Sequence, residues 1–280
     1  MARNFRELLG AKWDEGKFLC VGLDSCLEKI PNAAHSPVGG GTRETIVAFN
    51  RAIIDATHDL VCAYKPNSAF YEAHGDEGFA ALRETIAYIN ETAPEVPVIL
   101  DAKRADIGNT NEGYVQGAFE HLHADAITVL PYLGREALEP FLKRTEKGII
   151  VLCRTSNPGA GELQDLNIDG EPLYKVVARH VVDEWNENGN CGLVVGATYP
   201  EELREVRSIA GDMPILIPGV GAQKGDLAAC VKAGQSAGGR GLIIAASRAV
   251  IFASEGDDFA AAARAKAQQL HGAITAALIK

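Results

Sequence analysis

Val98-Ile-Leu-Asp101-Ala-Lys103-Arg-Ala-Asp106-Ile-Gly-Asn-Thr110 is the stretch on which the reading of the chain turns. Three consecutive apolar residues behind Pro97 predict a short buried strand that ends at Asp101. Side chains two apart on a strand share a side, so Asp101 and Lys103 should emerge together from its carboxyl end. Asp106 follows on the turn into a helix. Charges this close to a buried strand cost free energy unless they pair or take part in chemistry. Taken alone, the pattern fits a structural ion pair at a sheet rim as well as it fits an active site.

The same unit recurs on both sides. Short apolar runs at 18–24, 60–65, 97–101, 126–130, 148–153, 192–195, 214–217 and 241–245 read as eight strands. Helices are expected after each of them, at 42–58 (Thr42 as N-cap), 76–92, 110–122, 134–144, 172–188, 200–210, 225–235 and 257–279, and another at 3–13 ahead of the first strand. Runs that are apolar throughout belong to parallel strands covered on both faces. Eight such units predict an α/β fold, a closed (β/α)₈ TIM barrel over residues 1–280 as a single domain. An open doubly wound sheet is the alternative, but no G-x-G-x-x-G turn follows the first strand. The Ser-, Asn-, Pro- and Gly-rich connection at 154–170 is too short for a second domain and is expected to be an active-site lid.

Composition narrows the function. With 280 residues, 47% of them hydrophobic, the chain can bury a sizeable core, and its net charge of −10 argues against nucleic acid or an anionic membrane as partner. Its six cysteines form no C-x-x-C pair, which suggests reduced thiols and a cytoplasmic protein. The start has no apolar stretch suited to a signal peptide, and no run approaches the length of a membrane span.

In a barrel, residues at the carboxyl ends of the strands face one site. Here those are Asp24, Lys65, Asp101 with Lys103, Thr128, Arg154, the turn Pro218-Gly-Val-Gly-Ala-Gln223, and Ser247-Arg248. Gly219 and Gly221 let a ligand approach backbone N–H groups closely, and Arg248 supplies a cationic fork. Loops after the seventh and eighth strands commonly hold phosphate in this fold.

With those residues assembled, the chain resembles the orotidine 5′-monophosphate decarboxylases. Asp101-Ala-Lys103-Arg-Ala-Asp106-Ile is similar to the D-x-K-x-x-D-I signature of that family. Lys65 in Tyr-Lys-Pro-Asn, Ser156 in Ser-Asn-Pro-Gly-Ala, Gln223 in Pro-Gly-Val-Gly-Ala-Gln, and Arg248 match further motifs in order. The likeness runs from Asp24 to Arg248 and points to the longer bacterial form. It implies conversion of orotidine 5′-monophosphate to uridine 5′-monophosphate and CO₂, the last step of de novo UMP synthesis, with no cofactor and no metal. By the same resemblance, Lys103 donates the proton, flanked by Asp101 and Asp106. Asp24 and Lys65 hold ribose hydroxyls, and Ser156 and Gln223 contact the pyrimidine. Arg248, with Gly219, Gly221 and Ser247 beside it, binds phosphate. A homodimer is implied, in which Asp106 and Thr110 complete the partner's site.

Three other readings stay open on the residues. A sugar-phosphate decarboxylase with the same D-x-K-x-x-D core would use its carboxylates to hold Mg²⁺. A Schiff-base aldolase would use Lys65 or Lys103, although a lysine flanked by carboxylates stays protonated and is a poor nucleophile. A protein that only binds a nucleotide would have no need of a lysine set between acids.

Overall fold

The computed structural model describes residues 3–34, 40–220 and 226–278. Eight parallel strands form one sheet: β1 (Leu19–Gly22), β2 (Val61–Lys65), β3 (Ile99–Arg104), β4 (Ala126–Val129), β5 (Gly148–Arg154), β8 (Cys191–Val195), β9 (Ile215–Pro218) and β10 (Leu242–Ala246). The two remaining strands, β6 (Asn167–Ile168) and β7 (Glu171–Pro172), make a small antiparallel hairpin. Neighbours run in the order β2-β1-β10-β9-β8-β5-β4-β3. Single bridges from Tyr64 to Val98 and from Asn67 to Asp101 join the two ends. The result is the expected (β/α)₈ barrel.

The strands are largely buried because their residues are mostly apolar, with the charged ones confined to the carboxyl ends of β2, β3 and β5. β1, β4, β8 and β10 are buried at every position. Helices cover the outside with one apolar stripe each; in Thr42–Thr57 it includes Ile46, Phe49, Ile53 and Ile54. The leading helix, Phe5–Asp14, closes the barrel end where the strands begin. Phe5, Leu9 and Trp13 are buried there, and the Trp13 indole donates to the Leu242 carbonyl (2.7 Å). Gly148 has no side chain because Phe5 lies against it: a Cβ would sit 2.3 Å from the ring.

Differences from the expected elements arise where the chain leaves regular geometry. Gly41, not Thr42, is the N-cap of its helix, and Thr42 is the first helical residue. The helix after β3 starts at Gly108 and passes into a π-helix over Gln116–His121, and the one after β7 does so over Val181–Trp185. The connection at 154–170 is not structureless: Arg154 still belongs to β5, and a short helix, Gly161–Gln164, and the β6–β7 hairpin follow. β3 continues to Arg104 rather than ending at Asp101, and its register against β4 shifts between Leu100 and Arg104.

Candidate active site

Asp101 lies at the centre of the carboxyl face. Its Oδ2 accepts from Lys65 Nζ at 2.9 Å and from Asn67 Nδ2 at 3.3 Å. Its Oδ1 accepts from Lys103 Nζ at 2.6 Å and from the Thr128 hydroxyl at 2.9 Å. Asp24, beyond the end of β1, places Oδ1 3.8 Å from Lys65 Nζ. Two acids and two ammonium groups therefore balance one another, as buried charges must. Asp101 and Lys65 are 8% and 4% exposed, whereas the Lys103 side chain keeps 45% of its surface open.

The charge states follow from this packing. Burial acts to raise the Asp101 carboxyl, but Lys65 and Lys103 outweigh it and hold the group well below the usual carboxylate range. Burial acts to discharge Lys65, and Asp101 with Asp24 more than reverses that, lifting its ammonium above the ordinary lysine value. Both groups stay ionised at neutral pH.

A cavity of about 170 Å³ opens beside this array, lined by Asp24, Lys65, Asp101, Ser156, Gly219, Ser247 and Arg248 among others. Two glycines make room for two of its serines. A Cβ on Gly22 would stand 1.9 Å from Ser247 Oγ, and one on Gly196 would stand 2.6 Å from Ser156 Cβ. Gly219 takes the left-handed backbone (φ +100°) that glycine adopts freely. Arg248 is exposed at the start of the short helix Arg248–Ile251 and has no ion-pair partner among the described residues. Gly221 and Gln223 lie outside the described residues.

Two of the expected residues are not drawn into this cluster within one chain. The Asp106 carboxylate caps its own turn by accepting from the Ile107 N–H (2.7 Å), and Asn111 holds the Asp106 backbone from both sides. Thr110 is exposed on the helix Gly108–Val115. Arg154, at the rim in sequence, turns toward the insertion instead. It contacts Gln164 and Asp165 and lies over the Tyr199 ring at 4.2 Å. Asn67 is a site residue that the sequence reading misses; its position two residues beyond Lys65, the last residue of β2, is the available signal.

Removing the charge at the centre should show in stability. Asp101→Asn leaves Lys65 buried with Asp24 alone, and a loss on the order of 3 kcal/mol is expected by urea unfolding at pH 7. The depressed Asp101 contributes fully above the unfolded carboxyl value near about 4 and fades as pH falls through its lower folded value. The raised Lys65 contributes fully below about 10.4 and fades as pH rises through its folded value. The gap between wild type and variant should thus be level across neutral pH and narrow toward acid; a gap that widens toward acid contradicts the assignment.

Comparison with known proteins agrees with this geometry. The description "Orotidine 5′-phosphate decarboxylase / HUMPS family" matches residues 17–265. A Cellvibrio japonicus protein named orotidine 5′-phosphate decarboxylase is 54% identical over 98% of this chain and 99% of its own length. One of the same name from an Azoarcus species is 52% identical over 98% and 99%. The solved structure of Leishmania donovani OMP decarboxylase superposes with a TM-score of 0.85 at 39% identity, covering 98% of each chain. The chain belongs to the orotidine 5′-phosphate decarboxylase / HUMPS family.

Proposed function

We propose that this protein decarboxylates orotidine 5′-monophosphate to uridine 5′-monophosphate and CO₂, the closing step of de novo UMP synthesis. The observation that carries the reading is Lys103: a partly open ammonium anchored to the buried carboxylate of Asp101, which itself lines a cavity that also presents Arg248, an arginine without an ion pair among the described residues. Breaking the bond from carbon 6 of the pyrimidine to its carboxylate leaves an electron pair in the ring plane, where no carbonyl can take it up. A fixed positive charge at that point stabilises the pair, because it needs no reorganisation as the charge develops. Lys103 then delivers a proton to carbon 6 and is reprotonated from water.

The remaining groups divide the substrate between them. Arg248, Ser247 and the Gly219 turn take the phosphate, together with Gly221 and Gln223. Asp24 and Lys65 take the ribose hydroxyls; Asp24 Oδ1 is buried without a hydrogen-bond partner, as a waiting acceptor would be. Ser156 and Gln223 take the pyrimidine, and the insertion at 154–170 closes over it. Phosphate binding far from carbon 6 can drive that closure and so lower the barrier. Both Asp101 oxygens are occupied by ammonium groups, which favours this reading over one in which they bind Mg²⁺.

The homodimer belongs to the same proposal. Asp106 makes no ion pair with Lys103 in its own chain, so its carboxylate is available to a second copy's lysine. Exposed Ile107, Tyr132 (86%) and Leu133 on the loops after neighbouring β3 and β4 offer an apolar surface for that contact. A cytoplasmic location is proposed as well, supported by six free cysteines. Among the described residues, no helix is long and apolar enough to cross a membrane.

Turnover of orotidine 5′-monophosphate, followed spectrophotometrically with and without chelator, tests the activity directly; loss on chelation would favour the Mg²⁺ alternative. Lys103→Ala should lower kcat by about 10³-fold or more while UMP still binds, and near-normal turnover would remove it from the chemistry. Arg248→Ala should cost about 10- to 100-fold in kcat/KM with the nucleotide and little with the nucleoside, so equal losses on both would contradict a phosphate clamp. Mixing inactive Asp106→Asn and Lys103→Ala proteins should restore part of the activity once subunits have exchanged. No recovery after verified exchange would mean that each site is built within one chain.

A further inference from the structure

The register shift beside Asp101 gives Thr128 a task that the sequence motif does not reveal. Leu100 of β3 faces Ile127 of β4, and Arg104 faces Val129. Asp101, Ala102 and Lys103 therefore arch over Thr128 alone, a bulge of two extra residues. The ladder resumes only where the Leu130 N–H donates to the Arg104 carbonyl (3.0 Å). Within the arch Lys103 adopts φ +47°, a conformation that a side chain with Cβ rarely takes. Such a backbone persists only when its surroundings hold it.

Thr128 provides the hold. Its side chain is 1% exposed, and its oxygen accepts the Lys103 backbone N–H at 2.9 Å. The same hydroxyl donates to Asp101 Oδ1 at 2.9 Å, and that oxygen also receives Lys103 Nζ at 2.6 Å. Three hydrogen bonds thus make a closed circuit that leaves Lys103 from its backbone and returns to it at the ammonium. Accepting and donating at one atom is something a hydroxyl can do and an alkyl group cannot.

We infer that Thr128 is a positioning residue: it locks the left-handed Lys103 backbone to one oxygen of Asp101 and so fixes where the ammonium stands. The inference rests on the decarboxylase reading, but it concerns a residue that is not itself part of the cavity lining and acts through Lys103 and Asp101.

The test compares Thr128→Val, nearly the same shape without the hydroxyl, with Thr128→Ser, which keeps it. For each, kcat, KM and UMP affinity are measured beside wild type. Thr128→Val is expected to lose about 10- to 100-fold in kcat, since a small misplacement of a reacting group costs that much, with KM and UMP affinity within about threefold of wild type. Thr128→Ser should recover most of the lost rate. A folded Thr128→Val with wild-type kcat overturns the inference. Equal losses in the Ser and Val variants, or a loss confined to UMP affinity, do so too. Should the Val variant not fold, Thr128→Ala replaces it in the same comparison, and Ala matching Ser counts against the role. An inactive wild type would instead overturn the decarboxylase reading itself, so the two failures are separable.

Discussion

One carboxylate organises the working end of this barrel. Asp101 receives four donors, from Lys65, Asn67, Lys103 and Thr128, on three strands or their loops. With Asp24 the cluster contains two acids and two ammonium groups, which limits the cost of taking charge out of water. An ammonium held this way is stationary before any substrate arrives. Electrostatic catalysis needs that property, because charges that must turn toward the transition state lose much of their effect.

Buried charges at the opposite end behave differently. Arg207 gives its guanidinium hydrogens to the carbonyls of Gly211, Met213, Gly234 and Gly241, just ahead of β9 and β10. Asp125 is fully buried ahead of β4 and is matched by Arg3 and the Val98 N–H. Lys12 is held by Glu15 and Glu95. Each of these is satisfied by the fold itself and leaves nothing to offer a ligand. At the carboxyl end Asp24 Oδ1 has Lys65 within ion-pair range but accepts no hydrogen bond, and Arg248 has no ion pair among the described residues. That contrast, rather than the number of charges, separates a stability-bearing end from a binding end.

The architecture was legible because its signal is repeated. Eight apolar runs followed by helices leave little freedom, and small errors at each boundary do not alter the count. The rim residues were legible for a related reason: in a barrel, being last on a strand is already a location. What the sequence hid were features that depend on register and contact. Nothing in Ala-Ile-Thr-Val tells that Thr128 faces three residues of β3, since a bulge belongs to a pair of strands. Arg154 has the composition of a site residue, and only its contacts with Gln164, Asp165 and Tyr199 show that it serves the insertion. Gly22 and Gly196 carry no signal in the sequence, because a missing side chain matters only once the neighbouring serine is placed.

The bulge in β3 also explains how a strand can supply two oppositely charged groups to one point. On a regular strand, Asp101 and Lys103 would stand side by side, about two residue rises apart at their backbones, and the long lysine would be free to swing. Turning Lys103 into the left-handed region folds the chain back, so that its own ammonium meets Asp101 Oδ1 at 2.6 Å. The unfavourable backbone is tolerated because the carboxylate and the Thr128 hydroxyl meet both ends of the same residue. Strain at Lys103 and order at its ammonium therefore have one cause. A substitution that relaxed the backbone would release the charge from its place, even with every charged residue still present.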